Sequence, residues 1–109
     1  MTNALNIALA CLPAYLPMPD GYAQRMADAI YKAEGSRHPY GVLSVKVKDA
    51  QEARVVCLNS ITNNWKRWNK AGRTNEFVDF MANRWCPISA DPVGNKNWKR
   101  NVKILMEKH

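Results

Sequence analysis

The chain has 109 residues, 47% of them hydrophobic with four tryptophans, and 16 Lys plus Arg against nine acids give a formal net charge of +7. That length holds one core and one domain, and the apolar content excludes a disordered chain. No run of about 18 apolar residues occurs, so no helical membrane span is expected. The positive charge draws polyanions (nucleic acid, anionic lipid, an acidic cell-wall polymer) without choosing among them.

In chain order, residues about 3–11 pattern as a first helix with Leu5, Ala8, Leu9 and Leu12 on one side. Ala8-Leu9-Ala10 ahead of Cys11 resembles a cleavage site, but no positive charge precedes Arg25. An ordinary helix is therefore expected rather than a signal peptide. Pro13, Pro17 and Pro19 force a loop. A second helix is expected over about 21–34, capped by Asp20 and stopped by Gly35, with Tyr22, Met26, Ala29, Ile30 and Ala33 inward.

Ser44–Lys48 alternates polar and apolar and is the best strand candidate. Asp49 to Glu52 reads as a capping box opening a third helix, about 50–70. Its inner stripe is Ala53, Val56, Cys57, Ser60, Ile61, Trp65 and Trp68, and Gly72 ends it. Thr74 is the expected cap of a fourth helix, about 75–85, with Phe77, Met81 and Trp85 aligned and Pro87 as its stop. After a loop, Ile88 to Asn95, a last helix is expected over about 96–107 with Trp98, Val102 and Leu105 inward. The fold class is mainly α: about five helices, with a short strand-like or hairpin segment after the second, in a single domain whose residues 1–19 form an N-terminal helix and proline-rich loop.

Cys11, Cys57 and Cys86 are an odd set without CxxC spacing, which argues against a disulfide framework and a zinc site. Cys57 falls on an apolar stripe and reads as core; one disulfide with a thiol left over stays open. No metal or organic cofactor is implied.

Glu34 is the leading candidate for chemistry. It ends a helical pattern, where the partial negative charge of the helix disfavours an acid. Its neighbours Ile30 and Ala33 are apolar, and partial desolvation would raise its carboxyl pKa toward that of a general acid. A solvated surface Glu is the plainer reading of the same pattern.

Ala29-Ile30-Tyr31-Lys32-Ala33-Glu34-Gly35, followed by Tyr40-Gly41-Val42-Leu43-Ser44, resembles the active-site segment of lytic transglycosylases and related lysozyme-like proteins. The resemblance is looser over residues 55–102, where an Asn-rich helix (Asn59, Asn63, Asn64) precedes an aromatic helix and then Asp91-Pro92, Asn95 and Trp98. It implies a lysozyme-like fold and cleavage of β-1,4 bonds between amino sugars of peptidoglycan, with Glu34 as the acid. Gly35 stands where the family usually has Ser, Ser44 where it has Gln, and the late tyrosine motif has no counterpart. These departures bear on substrate and reaction outcome more than on fold.

A hydrolase needs a second carboxylate, whereas a transglycosylase can act with one acid while the sugar's own hydroxyl attacks. The resemblance favours the one-acid route. Asp49 is the weak candidate for a second acid, with Glu52 beside it; both read first as a cap, and Asp91 reads as a turn former. Tyr40, Ser44, Asn63, Asn64 and Trp68 are the candidate sugar-binding residues. Core packing or backbone bonding is the plainer role for each, and all four tryptophans fall at core-like spacing. His38 is given no role. The rival class is a nucleic-acid-binding module, because NNWKRWNKAGR mixes cations and aromatics on one helix. A third reading is a lysozyme-like domain that binds glycan or protein without cleaving it.

Overall fold

The computed structural model describes residues 14–34 and 49–108. They form four helices: α1 (Tyr22–Glu34), α2 (Ala50–Lys70), α3 (Phe77–Trp85) and α4 (Pro92–Glu107). The mainly α class holds, and no strand occurs among the described residues. The expected helix over about 3–11 and the alternating stretch Ser44–Lys48 lie outside them.

α1 starts through its backbone. Gly21, at φ 76°, turns the chain, and the Tyr22 N–H donates to the Pro19 carbonyl at 3.0 Å. Asp20, the expected cap, contributes its carbonyl, which accepts from Arg25 Nη1 at 3.2 Å. α2 begins as expected: Asp49 Oδ1 accepts from the Glu52 N–H at 2.9 Å, a cap worth about 1 kcal/mol. At its far end Gly72 takes φ 93°, and the Arg73 N–H reaches back to the Trp68 carbonyl at 3.1 Å.

Two helix starts differ from expectation. α3 opens at Phe77, with Glu76 rather than Thr74 at the cap position and no side-chain cap bond. Tertiary contacts fix it instead: Trp68 Nε1 donates to the Asn75 carbonyl at 2.8 Å, and Lys103 Nζ lies 3.0 Å from Asp79 Oδ1 and 3.5 Å from Glu76 Oε1. α4 opens at Pro92, well before residue 96, because Asp91 is its N-cap and proline suits the first helical position. Gly94 does not break this turn. A Cβ there would lie 2.2 Å from Asp91 Oδ2, so any other residue would make that carboxylate shift.

α1 packs on α2 and α4, and α3 closes the bundle against the same two helices. The expected inner stripes supply the core: Met26, Ala29 and Ile30 from α1, Ala53, Cys57 and Ile61 from α2, Met81 from α3 and Val102 from α4 are fully buried. Arg54 joins Asp28 at 2.8 Å across α1 and α2. At one end Tyr22, Trp65, Trp68 and Phe77 form an aromatic cluster, with Trp65 4.8 Å from both Trp68 and Phe77 between ring centroids. The proline-rich segment is strapped to this end. Trp65 Nε1 donates to the Leu16 carbonyl at 2.7 Å, while Asn69 accepts from the Leu16 N–H at 2.7 Å and donates to its carbonyl at 3.2 Å.

Candidate functional site

At the opposite end of α1, Glu34 is half-buried as the last residue of the helix. Beside it lies a cleft of about 330 Å³, lined by Ala33 and Glu34 from α1, Trp85 and Cys86 at the end of α3, and Asp91, Gly94, Asn97, Trp98 and Asn101 from the start of α4. Positions 94, 97, 98 and 101 follow the spacing of a single helix face, which is why one helix supplies most of this wall. The buried Asn95 holds the corner: its Nδ2 donates to the Cys86 carbonyl at 2.8 Å and to Asn83 Oδ1 at 3.2 Å, fastening the end of α3 to α4.

The cleft is acidic inside a basic protein. Cys86 registers both carboxylates: burial pushes its thiol pKa up first, and the negative charges of Asp91 and then Glu34 push it further. On the core side, burial drives the Cys57 thiol up to about 12, with Arg54 opposing and Glu34 adding to the rise. Neither thiol is placed to be a nucleophile at neutral pH.

The two tryptophans of the cleft have unusual polar ends. Trp85 and Trp98 lie 6.5 Å apart between ring centroids, 30° from parallel. Both indole N–H groups are buried and have no acceptor among the described residues. A buried donor left unpaired costs about 1–3 kcal/mol, so two side by side call for an explanation.

Of the residues singled out from the sequence, Glu34 is on this cleft and several others are elsewhere. Tyr40 and Ser44, with Gly35, His38 and Gly41, lie outside the described residues. Trp68 is not a groove platform. It is 8% exposed, commits its N–H to Asn75, and borders a separate hollow with Tyr22, Trp65 and Phe77. Asn64 is buried and occupied on its own helix, donating to the Ser60 carbonyl at 2.9 Å and accepting from Arg67 Nη1 at 3.3 Å. Asn63 is exposed on α2 and does not line the cleft. Asp49 is spent on the α2 cap; the carboxylate that shares the cleft with Glu34 is Asp91.

Trp85, Cys86, Asp91, Asn97, Trp98 and Asn101 are the wall residues that sequence reading did not assign to the site. The signal for Asp91 was present. Asp-Pro is a cap followed by a first helical position, and carrying α4 back to Pro92 puts 94, 97, 98 and 101 on one stripe. No group of three or more His, Cys, Asp or Glu suited to a metal ion occurs among the described residues, and no helix there is long and apolar enough to cross a membrane. Set against family models, characterised protein sequences and solved structures, the chain has no match in any of the three.

Proposed function

We propose that this protein cleaves β-1,4 glycosidic bonds between amino sugars of peptidoglycan, with Glu34 as general acid. The observation that carries the reading is the company Glu34 keeps: a half-buried carboxyl at a helix end, on a cleft bordered by the partly exposed ring of Trp85 and by the exposed amides of Asn97 and Asn101. Sugars present apolar ring faces and a fringe of hydroxyl and acetamido oxygens. Aromatic walls suit the first and N–H donors the second.

In this reading Glu34 gives its proton to the bridging oxygen as the bond to the anomeric carbon lengthens toward an oxocarbenium-like state. Asn97 and Asn101 hold sugar hydroxyls, and the partly exposed ring of Trp85 orients the sugar. Tyr40 and Ser44 belong to the opposite wall by resemblance alone. The net charge of +7 favours encounter with an anionic cell wall, where the enzyme would act. The nucleic-acid alternative loses its stacking half, because Trp65 and Trp68 are 5% and 8% exposed and face inward.

Turnover of purified peptidoglycan by the wild type and by Glu34→Gln tests the proposal. Gln is nearly isosteric and cannot donate the acid proton. Soluble muropeptides released by the wild type and absent with the variant are the expected result. Glycan bound without release by either protein would make this a binding domain instead, and no binding or release would end the glycan reading.

A further inference from the structure

We infer that the outer face of α2 is a binding site for duplex DNA, separate from the Glu34 cleft. Residues 59–70 mix cations, amides and tryptophans in sequence, and the helix sorts them. Trp65 and Trp68 turn into the core with Ile61. The exposed residues of 59–70 are Asn59, Thr62, Asn63, Lys66, Arg67 and Lys70. Offsets of three and four residues put them on one face, opposite the buried stripe. That face runs about 17 Å, the rise of about five base pairs. No residue of α2 lines the cleft.

A face that is merely solvated usually carries both signs of charge. This one carries only cations and hydrogen-bonding groups, because no Asp or Glu stands between Glu52 and Glu76. Glu52, on the same side, lies about two turns before Asn59, in the first turn of the helix. Lys66, Arg67 and Lys70 make no ion pair among the described residues. Arg67 Nη1 donates to Asn64 Oδ1 at 3.3 Å, and the other donors of this exposed guanidinium remain for a ligand. The second basic helix, α4, differs. Its Lys103 is held by Asp79 and Glu76, and Ile104, 45% exposed, interrupts its polar face.

The chemistry of the face selects the occupant. Three cations suit backbone phosphates, and the amides of Asn59 and Asn63 both donate and accept, as the edge of adenine requires. The major groove of B-form DNA is wide enough for an α-helix, whereas that of duplex RNA is too narrow. An anionic lipid surface is the poorer fit, since residues 59–70 expose no apolar side chain to enter it. Groove binding needs no base stacking, so the inward tryptophans do not count against it.

The test is fluorescence anisotropy of a labelled DNA duplex of about 20 base pairs with the full chain, from about 50 to 200 mM salt. Three phosphate contacts predict that affinity falls with salt at a log–log slope of about −3. Lys66→Gln and Lys70→Gln should each flatten the slope by about one and weaken binding about 10-fold at the lower salt. Asn59→Ala with Asn63→Ala should lower affinity at unchanged slope, since amides release no counterions. Lys96→Gln with Arg100→Gln removes two cations at the same spacing from α4, and at the higher salt should leave affinity within about 2-fold. All these positions are exposed, so melting temperatures should not move. Glu34→Gln should bind DNA as the wild type does, which keeps this result independent of the glycan reading. No binding at the lower salt, an α4 pair as damaging as the α2 lysines, or asparagine variants without effect would overturn the inference. Equal binding of duplex RNA or of anionic vesicles through the same lysines would overturn it too.

Discussion

The four tryptophans divide into two pairs by what their indole N–H groups meet. Trp65 and Trp68 sit in the aromatic cluster with their N–H groups committed to the Leu16 and Asn75 carbonyls at 2.7 and 2.8 Å. Trp98 is buried in the same core and Trp85 is partly buried against it, yet their indole N–H groups find no acceptor among the described residues. Burial alone does not set Trp98 apart from the first pair. Polar satisfaction does, and it marks the cleft shared by Glu34 and Asp91 as the unfinished side of the molecule.

The largest effect expected on the cleft side is chemical. Glu34→Gln should lower glycan turnover by about 10²- to 10⁴-fold, the usual contribution of a general acid, with little change in melting temperature. A muropeptide-release assay beside a thermal melt checks it. On the packed side the largest effect is structural: Trp65→Ala should cost about 3–5 kcal/mol in urea unfolding, because it empties a core site and releases the Leu16 strap.

The packed side also holds two acids in their protonated form. Burial raises Cys57 and Tyr22 to about 12, from ordinary values of 9.0 and 10.0. Their stabilising contribution is present in full below the unfolded-state values and is lost as pH rises through the folded ones, since the unfolded chain gives up these protons first. Denaturant midpoints should thus fall from near pH 9.0 toward pH 12, and Cys57→Ala should remove the earliest part of the fall. A flat alkaline profile would contradict the burial of these groups.

Helix order and inner faces were legible in the sequence because burial follows the 3.6 period: Met26 and Ile30, Cys57 and Ile61, and Trp98 and Val102 are buried as their spacing implies. Glu34 at the end of α1 was legible for a different reason, being an acid of the wrong sign for its place. The rest of the wall was not. Periodicity shows that Trp68 and Trp98 both face inward but is silent on which indole finds a carbonyl, since Asn75 lies beyond a turn whose path is set by Gly72 and Arg73 at φ 93° and 52°. Asp91 was hidden because Ile88 to Asn95 looked like a loop, when α4 already starts at Pro92 with Asp91 as its cap.

Smaller effects sharpen the same contrast. Trp68→Phe and Trp98→Phe remove similar volume, but only the first breaks an indole hydrogen bond, so it should destabilise by about 1 kcal/mol more. Equal losses in paired denaturant curves would erase the distinction. Gly94→Ala should cost about 1 kcal/mol through the displaced Asp91 cap, measured against Asp91→Asn, which keeps the cap and should cost less.

The most direct measurement is the indole region of a ¹⁵N–¹H correlation spectrum of Glu34→Gln, which holds one signal for each tryptophan, titrated with a soluble peptidoglycan oligosaccharide. The account predicts that the Trp85 and Trp98 signals shift together while Trp65 and Trp68, already bonded to backbone carbonyls, stay in place. Shifts confined to Trp65 and Trp68, or four unmoved signals at saturating glycan, would contradict it.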